Sequence, residues 1–270
     1  MDVLKNAITS GLLPESFVNY RQMNIGVFDI ETLEEPSEDD DIEGVLRIAS
    51  IGFASNLPAC NRFFIRKNSH PSSALMLLEE FLNHCFEVEK QFNSQIPKDI
   101  KLALKDLDDS AKTKFSTGRT QKQNILYHLK KYLEFPIFGY NSGKHGIETV
   151  SISTLTFYSG RFDLKVMLPG IMEHSKKFQV EISAIKKTSS FFNLTLRKQD
   201  DDHVAVLSFR DVINYNAPCS LDSYLKTWNL EYSKSIFPYT FFKSVEELRT
   251  YTEFPQKEAF YSDLKQVILF

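Results

Sequence analysis

The chain has 270 residues, 42% hydrophobic and 25% charged, the composition of one large globular domain or two small ones, which excludes disordered, collagen-like and disulfide-stapled classes. Its net charge of −3, from 32 basic and 35 acidic residues, gives the whole molecule no attractive field for a phosphate backbone, so any nucleic-acid site must be local. Three scattered cysteines, Cys60, Cys85 and Cys219, offer no zinc half-site and read as buried thiols of a reducing compartment. No stretch approaches the ~20 apolar residues of a membrane span and no signal peptide opens the chain, so a soluble, intracellular protein is expected.

Residues 1–20 read as a short amphipathic lead-in, and 21–270 as one α/β unit with no internal repeat. Asn24 to Thr32 has the pattern of a central strand, apolar on both faces until its carboxylates appear. The acidic run from Glu34 to Asp41, with Pro36 inside it, reads as a solvated turn. Leu46 to Ala54 alternates with period two and Asn61 to Arg66 follows, which predicts a strand meander. From a cap at Ser72 or Ser73 to Phe92, the spacing of Leu75, Leu78, Leu82 and Phe86 predicts an amphipathic helix. Residues 93–118 form a polar excursion, a second helix is expected over 121–133, and a short strand over 137–140. Further strands are expected over 178–185, 190–197 and 204–209, with Asp200 to Asp202 a hairpin turn and a helix starting near Pro218. The six histidines show no ligand spacing, the pairs Lys176–Lys177 and Lys186–Lys187 read as solvated, and Asp211 reads as a structural cap.

Asp29 and Glu31 stand two apart on the first strand, so both project from one face, where two ionised carboxylates repel unless a cation lies between them. Hard oxygen ligands suit magnesium or manganese, and a pair of such ions is the usual device for phosphodiester hydrolysis. A strand that simply ends in surface polar residues is the other reading of the same pattern. Downstream, Phe138-Gly139-Tyr140-Asn141-Ser142-Gly143 and Arg161-Phe162-Asp163-Leu164 form a second cluster: an Asn at a strand end, then Phe-Asp at a helix start, bringing Asp163 toward the first pair.

These motifs resemble the 3′–5′ exonuclease domain of family B DNA polymerases, particularly the protein-primed type of linear plasmids and self-synthesising, Polinton-like transposons. Phe28-Asp29-Ile30-Glu31-Thr32 looks like its first motif, and Asn141-Ser142-Gly143 with Arg161-Phe162-Asp163 like the halves of its second. Phe209-Arg210-Asp211-Val212, the segment Ala217 to Leu225, and Ile236-Phe237-Pro238-Tyr239 are similar to segments that follow in the same order. The resemblance implies a ribonuclease H-like α/β fold, with a mixed central sheet and helices on both faces. Asp29, Glu31 and Asp163 would hold two Mg2+ or Mn2+ ions, and Asn141 and Phe162 would contact the terminal nucleotide. Single-stranded DNA at its 3′ end is the implied partner, with a terminal protein as a second and the nucleus as a possible compartment.

The chain departs from that pattern in three places. Removal of residues 144–160, seventeen codons and so in frame, restores the family spacing of the second motif. The flanking Gly143-Lys144 and Ser159-Gly160 can be encoded with splice-donor and acceptor sequences, so the segment is expected to be a retained intron. The family's third motif, a Tyr three residues before a metal-binding Asp, is absent, and Asp263 has the wrong spacing for it. The polymerase palm is absent as well, so weak or no catalysis is expected of this chain alone. The alternative is a non-catalytic, transposon-derived module that binds nucleic acid or protein.

Overall fold

The computed structural model describes residues 3–15, 25–37, 44–95, 98–99, 102, 141–143, 146–148, 151–156, 162–187, 190–199, 204–215, 219–229, 237–262 and 267–268. Over these the chain is mixed α/β, as expected, and no helix is long and apolar enough to cross a membrane. Helix α1 (Val3–Thr9) precedes β1 (Ile25–Glu35), β2 (Val45–Ser55), β3 (Arg62–Ile65) and α2 (Pro71–Ser94). Then come β4 (Asn141–Gly143), β5 (Gly146–Glu148), β6 (Ser151–Thr156), α3 (Asp163–Phe178), β7 (Glu181–Lys187), β8 (Ser190–Gln199) and β9 (Val204–Asp211). Helices α4 (Leu221–Thr227) and α5 (Val245–Thr250) and the short pair β10 (Tyr261–Ser262) and β11 (Val267–Ile268) complete the order. The helix expected over 121–133, the strand over 137–140 and the turn at Asp200 to Asp202 lie outside the described residues.

Seven strands form one sheet in the order β3-β2-β1-β6-β9-β8-β7. It is made of two antiparallel three-stranded units, β3-β2-β1 and β9-β8-β7, and parallel pairing is confined to β6, which bridges β1 and β9. This bridging strand comes from within 144–160: Ile25 to Val27 pair with Ser153 to Leu155, and Ser151 to Thr156 pair with Val206 to Asp211.

One face of the sheet carries the main core. Phe81 of α2 is fully buried among Phe28, Phe53 and Phe64 of β1, β2 and β3, at ring separations of 5.4, 6.1 and 5.8 Å. Helix α3 packs on the same core through Leu164, Met167 and Ile171. Its Gly170 permits the close approach to α2, since a Cβ there would stand 2.5 Å from Leu78 Cδ2. Helix α2 is capped two residues before Ser72, the earlier of the expected caps, by His70, whose Nδ1 accepts from the Ser72 backbone N–H at 3.3 Å.

The second face is covered unevenly. Phe242 and Val245, at the start of α5, pack on Leu33 of β1 and Ala49 of β2. On β9, Val206 and Ser208 are buried as well, so that strand is enclosed on both sides. Strand β1 was expected to be covered on both faces, and the second face is covered only toward its end: Val27 and Asp29 are exposed and Glu31 is half-buried, whereas Leu33 is buried, as Gly26, Phe28 and Ile30 are on the first face. Among the described residues, α2 and α3 pack on the first face and the α5 segment on the second.

Two further expectations change. Glu35 belongs to β1 and is 7% exposed, rather than part of a solvated turn, because Arg66 neutralises it inside the fold. Cys60 and Cys85 are buried, and burial raises both thiol pKa values, but Cys219 is only partly covered.

Candidate functional site

Alternation along β1 places Asp29 and Glu31 on the face opposite Phe28 and Ile30. Asp29 is exposed and Glu31 half-buried. A bulge interrupts the β1–β2 register beside them, where Glu31 opposes Ser50 but Thr32 opposes Ile48, leaving Ala49 as the extra residue. Asp29 lies just past the last parallel-paired residue of β1, Val27, which is in a row with Leu155 of β6 and Arg210 of β9. Sites in open α/β sheets form at this end, beyond the carboxyl ends of the parallel strands.

Asp163 enters from the same end, as the first residue of α3 shortly after β6 finishes. A carboxylate in the first helical turn is favoured by the helix dipole, and Asp163 is 7% exposed. Phe162 precedes it at the N-cap with no side-chain cap bond; its carbonyl accepts from the Lys165 and Val166 N–H groups at 2.9 and 3.1 Å, and its ring is 43% exposed. Asn141 is placed by its backbone, at the first position of β4 opposite Glu148. Asp211 caps the turn after β9, its Oδ1 accepting from the Ile213 N–H at 3.1 Å.

One group bonded to a carboxylate of the pair was missed by sequence reasoning. The Tyr239 hydroxyl donates to Glu31 Oε2 at 2.5 Å. Burial, the bond to Glu31 and its charge, and then the charges of Asp29 and Asp163 push the phenol well above its ordinary pKa near 10. Carboxylates from β1 and from the start of α3 therefore act on one hydroxyl, which stays protonated as a donor. Tyr239 is held by Phe237, 5.0 Å away, and Phe237 by Phe242, which anchors to β1 and β2. The motif-like Ile236-Phe237-Pro238-Tyr239 pointed to this segment, but nothing local shows that its phenol reaches a carboxylate 208 residues away.

Asp29, Glu31 and Asp163 offer only carboxylate oxygens, the donors that Mg2+ and Mn2+ prefer. In spacing they are not closed around an ion: no group of three His, Cys, Asp or Glu side chains among the described residues is arranged to hold one. A cleft of about 340 Å3 between β3, α2 and the end of α3 lies away from them and is crossed by the Lys177–Glu79 ion pair at 2.9 Å. Comparison with protein-family models, with curated proteins and with solved structures finds no match to this chain.

Proposed function

We propose that the chain is the 3′–5′ exonuclease part of a protein-primed, family B DNA-directed DNA polymerase, with a ribonuclease H-like fold, acting on the 3′ end of single-stranded DNA. The observation that carries the reading is the carboxylate pair Asp29 and Glu31 on one face of β1, just past its parallel-paired residues, with Asp163 opening α3 and the Tyr239 hydroxyl bound to Glu31. The antiparallel β3-β2-β1 unit followed by a parallel β6, with the carboxylate pair on β1, supports the fold assignment. In this reading Asp29, Glu31 and Asp163 are the ligands of Mg2+ or Mn2+, which when bound supplies an activated water and a stabilised leaving oxygen. Tyr239 fixes the rotamer of Glu31 by donating to Oε2 and keeps its proton, so it adds no fourth negative charge beside the substrate phosphate. Phe162, exposed beside Asp163, and Asn141 are the contacts to the terminal nucleotide, and a terminal protein is the second partner.

A second reading has its own observation. The third exonuclease motif and the palm are missing from the sequence, which favours a module that binds nucleic acid or protein without cutting. Electron paramagnetic resonance of Mn2+ in the presence of a single-stranded oligonucleotide separates the two. The exonuclease reading expects bound Mn2+ in the parent chain, at least about tenfold weaker binding in Asp163→Asn and Glu31→Gln, and retained binding in Tyr239→Phe. Oligonucleotide binding with no bound Mn2+ would instead establish the binding module.

A further inference from the structure

Asp29, Glu31 and Asp163 gather negative charge where the proposed substrate brings more, and a net charge of −3 leaves the molecule no general field to offset it. A nucleic-acid strand held there calls for positive charge on the same face of the sheet, and the register identifies its source. Val27 of β1 pairs with Leu155 of β6, and Leu155 with Arg210 of β9, so the three residues form one row at the carboxyl end of the parallel strands. Phe28 and Phe209, the chain neighbours of Val27 and Arg210, meet edge-on in the main core at 5.7 Å. Val27 and Arg210 therefore project from the other face, which is also that of Asp29. Arg210 stands two strands across from Asp29 and two residues short of it, about 10 Å in one direction and about 7 Å in the other between backbones.

Other described arginines are committed within the fold: Arg47 and Arg66 to Glu35, Arg62 to Glu80, and Arg249 to the Arg66 carbonyl. Arg210 is half-buried, its Nε is closed off from solvent with no acceptor, and no carboxylate among the described residues pairs with it. Asn193 of β8 stands opposite it in the register and is its natural internal acceptor. The Asn193 amide nitrogen donates to Thr195 Oγ1 at 3.1 Å, and its Oδ1 is likewise buried without a partner. An arginine that only covers the strand beneath it runs its stem along apolar neighbours and holds its whole head in water. Here part of the head is buried and unpaired, and a donor placed so calls for an acceptor that the described chain does not supply.

We propose that Arg210 is a phosphate clamp, which holds the linkage next to the one that is cleaved. The proposal rests on the exonuclease reading for placing the cleaved linkage at Asp29, Glu31 and Asp163. A 3′-terminal nucleotide carries no phosphate on its 3′ side, so the one neighbouring phosphate is that of the second linkage from the end, toward the body of the strand. Guanidinium and phosphate meet in a fork of two N–H···O bonds, stronger than neutral ones and indifferent to the base, which suits a strand of arbitrary sequence. The strand is thereby fixed two β-strands away from Asp29, by a positive charge that shares the carboxylate face without pairing with that carboxylate.

The test is fluorescence anisotropy in Ca2+ with two labelled oligodeoxythymidylates, one natural and one in which a methylphosphonate removes the charge of the second linkage from the 3′ end. The clamp predicts that the parent chain binds the natural strand roughly tenfold more tightly than the modified one. Arg210→Gln binds both alike, at the parent's level for the modified strand, with an unchanged urea midpoint and a salt slope lower by about 1. Arg210→Lys, which keeps the charge and loses the fork, recovers part of the preference. The proposal is overturned if the parent chain binds the two strands equally or binds neither, or if Arg210→Gln keeps the parent's preference. The preference present with no cleavage in Mn2+ removes the exonuclease reading and leaves the clamp; cleavage with no preference removes the clamp alone.

Discussion

Arg66 is fully buried, and its guanidinium meets the Glu35 carboxylate at 2.6 and 3.1 Å while donating to the Ser69 and His70 carbonyls at 2.7 and 3.0 Å. Arg47 adds a second cation 3.3 Å from Glu35. Glu246 of α5 accepts from the Ser69 N–H at 2.8 Å and from its hydroxyl, bonds that lower the Glu246 pKa, and Arg249 donates to the Arg66 carbonyl at 3.3 Å. This network fastens α5 over Leu33, and through Phe242 it sets the segment that carries Tyr239. Removing one partner strands a buried charge, so Arg66→Ala should cost about 3–5 kcal/mol, read as a fall in the urea midpoint. An unchanged midpoint would show that Glu35 is effectively solvated. In the sequence Glu35 is one acid in an acidic run, and its partner is 31 residues away, a distance over which no local pattern operates. His174 carries a residue-scale consequence of a different kind. It is 3% exposed, packs at 4.5 Å on Phe178 and 6.4 Å on Phe86, and neither ring nitrogen has a hydrogen-bond partner among the described residues. Burial lowers its pKa; Glu79 opposes this, and Lys198 and Lys177 reinforce it. A histidine kept neutral in the fold leaves stability flat above its ordinary value of 6.5 and removes it as pH falls from there toward the lowered value, because the unfolded chain takes the proton first. The urea midpoint should therefore drop between about pH 7 and about pH 5, and His174→Phe should flatten that drop; an equal drop in the variant would place the acid sensitivity elsewhere.

At the scale of elements, what was legible was what repeats over a few residues. The alternation of β2, the helical spacing of Leu78, Leu82 and Phe86 on α2, and the Phe-Asp start of α3 all report local geometry, and each element lies where that spacing puts it. Strand β6 is the opposite case. Its Ser-Ile-Ser-Thr-Leu-Thr alternates as a strand should, yet motif spacing and the splice-compatible codons at its ends assigned 144–160 to a retained intron. In the structure it is the bridge between the two antiparallel units, paired with β1 on one edge and β9 on the other. Deletion of 144–160 should then remove the parallel ladder and replace one cooperative unfolding transition by a broad or low one, in a denaturation curve followed by circular dichroism. A deletion variant as stable and cooperative as the full chain would show that the segment is dispensable to the fold, as the retained-intron reading expects. The second face was illegible for a related reason: coverage of β1 depends on which face α2 and α3 share, and helical periodicity says which side of a helix is apolar, not which side of a sheet receives it.

At the scale of the molecule, the account joins two carboxylates on β1, one at the head of α3 and a phenol from the segment before α5 into one site beyond the parallel strands. A net charge of −3 gives the chain no attractive field for DNA, so in this account binding at the three carboxylates depends on the cation that they would hold. That Asp29 and Glu31 share a strand face and that Asp163 opens a helix was legible, because strand period and helix start are short-range; the Tyr239–Glu31 contact was not, because the distance along the chain hides it. The most direct measurement is the fate of a 5′-labelled single-stranded oligodeoxynucleotide incubated with the purified chain and Mn2+ or Mg2+. The account predicts a ladder of products shortened stepwise from the 3′ end, formed slowly because the third motif is missing, absent in EDTA and absent in the double variant Asp29→Asn with Glu31→Gln. A strand that stays intact while the protein binds it, or a ladder that persists in the double variant, would contradict it.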